Sequence, residues 1–452
     1  MLLDWVPLIL FACVCLLLLL GYPVAFTLGG TALIFAGVGI VTGYFDPKWL
    51  SNMPARLFGL ISNETLIAVP LFVFMGVVLE KTRIAEQLLS NMARLCGVFP
   101  GGLGLAVVLV GILLAASTGI VGATVVTMGL MSLPSFIRHK YDQALATGTI
   151  CATATLGQII PPSIALVLLG DVLSNAYQQA QLNLGVTNPD AVSVGDLFVG
   201  ALIPGLLLAL AYGVYVMARA WLNPSCAPPA TEDLVQQGRD QSLLSSILPP
   251  VILIVVVLGS IIRGVATPTE AAGVGALGAL ILGLFKRQIN FTALRDICRS
   301  TTQVTAKVFL ILIGASLFSL VLRGYRGDEL IEHFFMHLPG GVVGAMLVVM
   351  LVIFLLGFIL DFIEITFVVV PIVGPILLAM GINPVWLGVM IAVNLQTSFL
   401  TPPFGFSLFY LRGVAPPEVP TSAMYRGVIP FIVIQLLLLL VLAIWPQLVL
   451  TF

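Results

Sequence analysis

The sequence predicts an all-α polytopic membrane protein built as an inverted repeat, with two re-entrant hairpins and two broken transmembrane helices. Three observations carry that expectation: an apolar composition, a series of runs long enough to cross a bilayer, and proline and glycine motifs recurring at nearly one offset. Of 452 residues, 60% are hydrophobic and 9% charged, where soluble domains carry about a quarter charged residues. Nineteen basic and 20 acidic side chains leave a formal charge of −1, too few and too scattered for a nucleic-acid surface. The cysteines at 13, 15, 96, 151, 226 and 298 form no C-x-x-C and no zinc spacing. The chain begins M-L-L-D-W, with an acid where a signal peptide carries positive charge, so its first apolar run reads as a retained span.

A ~30 Å hydrocarbon core asks for about 20 helical residues. Such runs lie near 5–20, 23–42, 62–79, 143–173, 197–218, 245–261, 268–285, 304–322, 384–411 and 427–449, predicting ten crossings. The stretches 103–136 and 342–380 are too long for one helix and are interrupted by A-S-T-G-I-V-G-A-T and G-F-I-L-D-F-I-E-I-T. Each fits either one span plus a surface helix or a re-entrant hairpin. The positive-inside rule separates the two: with residue 1 outside and both stretches as hairpins, 14 of the 19 basic residues face the cytoplasm. Both termini are then periplasmic.

Residues 219–244, the longest polar break, read as a cytoplasmic linker between a first repeat, 1–218, and a second, 245–452. Pro161-Pro162 recurs 241 positions later as Pro402-Pro403, and Pro134 recurs at Pro375 with the same offset. Pro100-Gly101-Gly102 recurs 239 positions on as Pro339-Gly340-Gly341, and Pro23 answers Pro268. Hairpin 103–136 and broken helix 143–173 therefore pair with hairpin 342–380 and broken helix 384–411. Five crossings per half turn the second half upside down, and inverted repeats place binding sites near the midplane. The stretches 82–96 (Ile84, Leu88, Met92 and Leu95 against Arg83, Glu86, Gln87 and Arg94) and 326–338 (Leu330, Phe334 and Leu338) read as amphipathic helices in the interface.

Non-helical backbone at membrane depth survives only inside protein or beside a water-filled cavity. Four breaks qualify: Ser117-Thr118-Gly119 with Gly122, Thr155 to Ser163, Gly357 to Thr366, and Asn394 to Pro403. Each proline pair removes donors and blocks the preceding helical turn, so carbonyls are freed. Unwound carbonyls, hydroxyls and half-helix ends form oxygen cages for sodium, while half-helix N-termini attract an anion. Asp361 and Glu364 are the only carboxylates read as lying deep in an apolar run. Asp361 is assigned to an ion at the second tip. Glu364 divides between that role and a hydrogen bond to the tip backbone. Glu270, two positions after Pro268, reads as a helix cap. His333 and His337 lie a helical turn apart without H-E-x-x-H, and no G-x-x-x-x-G-K-[ST] occurs.

The runs N-P-V-W-L-G-V-M-I-A-V-N-L-Q-T-S-F-L-T-P-P-F-G-F-S-L-F, L-G-Q-I-I-P-P-S, A-T-P-T-E-A-A and A-V-P-L-F-V-F-M-G closely resemble the large membrane subunit of TRAP (tripartite ATP-independent periplasmic) transporters, the DctM-like family, across essentially the whole chain. The resemblance implies a permease that is not an enzyme. It implies coupling to sodium ions and import of an organic acid (a carboxylate) across the bacterial inner membrane. The implied partners are a small four-helix membrane subunit and a periplasmic substrate-binding protein. It also implies an elevator-type ion transporter fold in which 103–173 and 342–411 move as a transport domain. Substrate contacts carry over to Ser117, Thr118, Pro161, Pro162, Ser163, Thr401 and Pro402. Sodium contacts carry over to Ser117, Gly119, Gly122, Thr155, Gly157, Gly357, Asp361, Asn394, Thr397 and Thr401. The alternative is a self-sufficient sodium/anion symporter of similar architecture. An intramembrane hydrolase would need a nucleophile beside a base, and no histidine falls within a predicted span.

Overall fold

Hydrocarbon offers the backbone no water to bond, so apolar runs of this length close their hydrogen bonds within helices. The computed structural model describes residues 5–82, 84–97, 99–119, 121–229 and 243–450, and the regular elements among them are helical. The first half contains α1 (Val6–Leu19), α2 (Val24–Thr42), α3 (Met53–Ile61), α4 (Ala68–Lys81), α5 (Ile84–Cys96), α6 (Gly102–Thr118), α7 (Val121–Arg138), α8 (Gln143–Thr155), α9 (Ile164–Asn183) and α10 (Val194–Leu222). The second contains α11 (Leu243–Ile262), α12 (Pro268–Phe285), α13 (Phe291–Gly324), α14 (Gly327–Met336), α15 (Gly341–Leu356), α16 (Phe362–Val368), α17 (Val370–Ala379), α18 (Pro384–Leu400), α19 (Phe406–Val414), α20 (Thr421–Ile444) and α21 (Gln447–Leu450). The order hairpin, broken helix, final span occurs twice.

The ends of these helices follow from local chemistry. Gly43, at φ +79, closes α2 by returning its N–H to the carbonyls of Gly39 and Ile40, a left-handed turn that costs glycine little. Thr267 and Glu270 open α12 reciprocally. The Glu270 N–H donates to Thr267 Oγ1 at 3.2 Å and the Thr267 N–H to Glu270 Oε2 at 2.8 Å. Glu270 is thus the cap its position suggested.

Six described helices are long and apolar enough to cross a membrane: α2, α7, α10, α12, α13 and α20. Counting Pro47–Ile61 with Glu64–Lys81, and α16 with α17, as interrupted spans raises this to eight. Six of these eight fall on predicted crossings, while α7 and α16–α17 are hairpin arms. The other predicted crossings are α1, with 14 residues, Leu248–Ile262 of α11, and the two runs that the proline pairs split. Element lengths differ too. The α9 helix continues to Asn183, past the predicted end at 173, and α13 starts at Phe291 instead of 304. The linker 219–244 is described only at its ends: α10 runs to Leu222, and residues 230–242 lie outside the described residues.

Two compact units divide the chain. The first comprises Met1–Ile67, Leu168–Ser193 and Gln303–Gly388; the second comprises Ala68–Val167, Val194–Thr302 and Val389–Phe452. Each draws on both sequence halves. The hairpin at 103–136 belongs to the second unit and that at 342–380 to the first, so packing does not group 103–173 with 342–411 as expected. The second hairpin clusters instead with α1, α2 and the C-terminal part of α13.

In the first unit, α2 and α13 approach closely enough that a Cβ on Gly314 would run into the Ala25 carbonyl. Tyr325 Oη donates to the Phe35 carbonyl at 2.8 Å, and its ring sits 5.1 Å from that of Phe45. The hairpin's second arm bends by 58° between α16 and α17. Pro371, near the start of α17, lacks the N–H that a continuous helix would pair with the carbonyl of Phe367.

In the second unit, α8 lies directly on α20: a Cβ on Gly148 would meet the Gly427 backbone, and one on Gly427 the Ala144 carbonyl. Small residues permit this backbone-to-backbone crossing. The α5 helix is amphipathic as predicted, but its buried side is formed by Leu88, Leu89 and Ala93, while Leu95 is exposed. Arg83 and the side chains of Ile84 and Glu86 lie outside the described residues. In α14, of the first unit, Phe335 is buried and Phe334 exposed, a shift of one position from the predicted face.

Candidate substrate and ion site

The first tip and both helix breaks fall within the second unit. The α6 helix ends at Thr118, and Gly119 turns the chain at φ +60. A Cβ there would meet the backbone nitrogen of Ile164, where α9 begins after the first break. Only glycine combines that conformation with that approach. Gly157 packs on Ala115 of α6, with an added Cβ 3.4 Å from its Cα. Gly122, in the returning arm, faces the ring of Tyr410 on α19. Gly119, Gly122 and Gly157 are therefore places where one broken element touches another. Ser117 and Thr118 hold the last positions of α6; their side chains lie outside the described residues.

After Thr155 the chain tightens into a 3₁₀ turn, Leu156–Gln158, passes Pro161-Pro162, and restarts at Ile164. The second break runs from Thr401 to Gly405, including Pro402-Pro403. Both proline pairs contain a cis bond. Carbonyls freed by the two breaks find matching partners. Ser163 Oγ donates to the Gln158 carbonyl at 3.1 Å and Ser407 Oγ to the Phe399 carbonyl at 2.8 Å; Gln158 and Phe399 are themselves 241 positions apart. The breaks differ in exposure. Residues 155–164, including Pro161, Pro162 and Ser163, are buried, whereas Thr401 and Pro402 are half-buried and Pro403 and Phe404 exposed.

The hydroxyls are largely engaged. Thr397 Oγ1 donates to the Val393 carbonyl and Thr401 Oγ1 to the Thr397 carbonyl, both at 2.8 Å. Asn394 is 5% exposed and hydrogen-bonded or otherwise engaged. Thr155 Oγ1 donates to Ala152 and accepts from Gln396 Nε2 at 3.1 Å. The buried oxygens Thr153 Oγ1, Gln158 Oε1 and Gln396 Oε1 have no protein partner. They supply the hard oxygen donors that an alkali cation accepts.

The second tip belongs to the first unit. Gly357 closes α15, returning its N–H to Ile353, and Asp361 caps α16. Asp361 Oδ1 accepts the Phe362 N–H at 2.7 Å, and Glu364 Oε2 accepts the Asp361 N–H at 2.8 Å. Glu364 therefore makes the tip-backbone hydrogen bond that was one of its two readings. Lys307, on α13, lies near enough for its charge to act on both carboxylates. Lys307 falls within the predicted span 304–322, which the structure extends back to Phe291.

Two further groups escaped the sequence reading. Asp171 occupies the third turn of α9, an acid within a long helix, with Asn63 Nδ2 donating to its Oδ1 at 2.8 Å. It was legible in A-L-V-L-L-G-D-V-L, but the predicted span ended too early to make it deep. Gln396 was passed over as one polar residue in a run, although it stands 241 positions after Thr155. Among the described residues no group of three or more His, Cys, Asp or Glu side chains is placed to hold a metal.

Helices interrupted at membrane depth, with proline breaks matched across two sequence halves, define a membrane transport protein of the repeat-built, broken-helix class. Residues 11–448 match the family described as "Tripartite ATP-independent periplasmic transporter, DctM component", and the chain belongs to it. It is 29% identical to the C4-dicarboxylate TRAP transporter large permease protein DctM of Pseudomonas aeruginosa over 89% of each chain. It is also 29% identical to the sialic acid TRAP transporter large permease protein SiaM of Vibrio cholerae, over 95% of this chain and 94% of that one. The ectoine/5-hydroxyectoine TRAP transporter large permease protein UehC of Ruegeria pomeroyi is 27% identical, with 97% of its chain covered by 98% of this one. The fold is shared with the YdaH transporter of Alcanivorax borkumensis, at TM-score 0.63 and 16% identity over 98% of both chains.

Proposed function

We propose that this chain is the large permease subunit of a sodium-coupled secondary transporter that imports an organic acid delivered by a periplasmic substrate-binding protein. It works beside a small four-helix membrane subunit in the bacterial inner membrane, with both termini periplasmic. The observation that carries the reading is the gathering of the first tip and both proline breaks in one unit. Relatives named for C4-dicarboxylates and sialic acid support an acid as the substrate class.

Sodium and substrate are both cargo, and the residues fit them through oxygen atoms and helix ends. Backbone carbonyls around Gly119, Gly157, Asn394 and Thr397 offer cation ligands, and Gly357 and Asp361 offer a second set at the other tip. The restart of α9 after Pro161-Pro162 and of α19 after Pro402-Pro403 points N–H groups at an anion. Thr401 and Pro402, half-buried beside the exposed Pro403 and Phe404, belong to the break that is open to an entering carboxylate. Ser117 and Thr118 at the first tip complete the proposed substrate contacts. Elevator motion carries the site across the membrane in this reading.

The test is uptake in proteoliposomes containing both membrane subunits, with and without a sodium gradient and the binding protein. The proposal expects transport only with both. Robust uptake by this chain alone, driven by sodium, would establish the self-sufficient symporter instead. Uptake indifferent to sodium would remove the coupling.

A further inference from the structure

Thr155 and Gln396 stand at equivalent positions of the two repeats, 241 apart, the offset that relates the two proline pairs. The 3.1 Å bond from Gln396 Nε2 to Thr155 Oγ1 therefore joins the two broken helices at positions that the repeat offset makes equivalent. Each end of the bond lies close to a break. Thr155 precedes the 3₁₀ turn that leads into the first. Gln396 precedes Thr397, whose carbonyl receives the hydroxyl of Thr401 at the start of the second.

A threonine hydroxyl has one proton to give and two lone pairs to fill. At Thr155 the proton goes to Ala152, at 2.8 Å, and one lone pair receives Gln396 at 3.1 Å, with Tyr212 beside the same hydroxyl. Tyr212 in turn accepts from Gln435 Nε2 at 2.8 Å. Thr155, Gln396, Tyr212 and Gln435 are all 0% exposed. A hydroxyl that donates to one helix and accepts from the other is held in place between them, so Thr155 can act on the sites through position. A buried chain of this kind also responds as a unit, since each bond polarises the next.

We propose that the Thr155–Gln396 hydrogen bond is a positioning joint that couples the two helix breaks, so that a cation bound at one break favours binding at the other. The proposal rests on the sodium-coupled reading above. Coupling between sites is reciprocal and commonly amounts to about 5- to 150-fold in affinity.

The experiment is the sodium activation curve of uptake by the complete system, both membrane subunits in liposomes with the binding protein. Thr155→Val and Gln396→Met keep side-chain volume and remove the bond; Thr155→Ser keeps the hydroxyl. Wild type and Thr155→Ser are expected to show a Hill coefficient above 1. In Thr155→Val and Gln396→Met it should fall to about 1, with half-saturating sodium raised about fivefold or more. The double variant should resemble either single one, because one bond is lost in all three. Melting temperatures in detergent establish that each variant is folded; where one is not, Gln396→Asn, too short to reach Thr155, takes its place. Steep sodium curves in the folded variants, or a sodium-dependent wild type with a Hill coefficient of 1, would overturn the joint and leave sodium coupling standing. A wild type whose uptake ignores sodium would overturn the underlying reading instead.

Discussion

The hydroxyl of Ser407 donates to the carbonyl of Phe399 across the second break, at 2.8 Å, and both residues are buried. Ser163 does the same for Gln158 across the first. A proline pair frees carbonyls at fixed positions before it, and each break returns a serine from its far side to cover the equivalent one. These carbonyls are thereby occupied, which narrows the oxygens left for cations. Removing the donor leaves a buried acceptor unsatisfied, at a cost of about 1–3 kcal/mol. Ser407→Ala and Ser163→Ala are each expected to lose stability by that amount in denaturation in detergent. Since Ser163 commits its proton to Gln158, its alanine variant should change stability more than the substrate concentration for half-maximal uptake. The reverse result would return Ser163 to direct substrate contact.

The α8–α20 crossing has no space for a methyl group. Gly148→Ala and Gly427→Ala each force a Cβ into the facing backbone, and backbone cannot rotate away as a side chain can. Overpacking typically costs about 1–3 kcal/mol and occasionally more. Both variants should melt well below the wild type, whereas Gly37→Ala in α2, with open space around its Cβ position, should not. Equal melting temperatures for all three would show that α8 and α20 are free to separate.

Helix identity and the sites of the breaks were legible because both are local. Apolar runs longer than 14 residues fold as helices wherever they pack, and Pro161-Pro162 and Pro402-Pro403 interrupt them by covalent geometry. The pairing of the halves was legible through the recurring offset. What escaped depends on which residues touch. That Lys307 comes near Asp361 and Glu364 depends on packing between segments that the apolar run 304–322 does not encode. The glycines of the first tip read as sodium contacts by resemblance, and nothing local shows that Gly119 and Gly122 are also required by Ile164 and Tyr410, far away in sequence. The two compact units likewise arise from packing between distant segments, which no single run encodes.

Asp361 and Glu364 open α16 together, so substitutions there separate capping from ion binding. Asparagine caps a helix about as well as aspartate, while alanine costs about 0.5–2 kcal/mol. Asp361→Asn should therefore fold like the wild type, and Asp361→Ala should not. If Asp361 also holds sodium in the proposed transporter, loss of its charge should raise half-saturating sodium about tenfold, equivalent to about 1.4 kcal/mol. Unchanged sodium activation in Asp361→Asn confines the residue to its structural role.

Asn63 and Asp171 present the clearest case of a polar pair holding an interrupted segment. Asn63 lies at the interruption after α3. Its Oδ1 accepts the Thr65 N–H at 2.9 Å while its Nδ2 reaches Asp171 at 2.8 Å. One side chain thus shapes the turn and satisfies a carboxylate carried on an otherwise apolar stretch of α9. Asn63→Ala removes both bonds and strands the half-buried carboxylate, with an expected loss of about 1–3 kcal/mol. Asp171→Asn keeps an oxygen that can accept from Asn63 and should cost less. Combining Asn63→Ala with Asp171→Leu should recover part of the loss, because no polar group is then left without its partner, although the Thr65 N–H still lacks its acceptor. Denaturation of the wild type, Asn63→Ala, Asp171→Leu and the combined variant forms a double-mutant cycle. A coupling energy near zero would show that the 2.8 Å contact contributes nothing beyond the turn at Asn63.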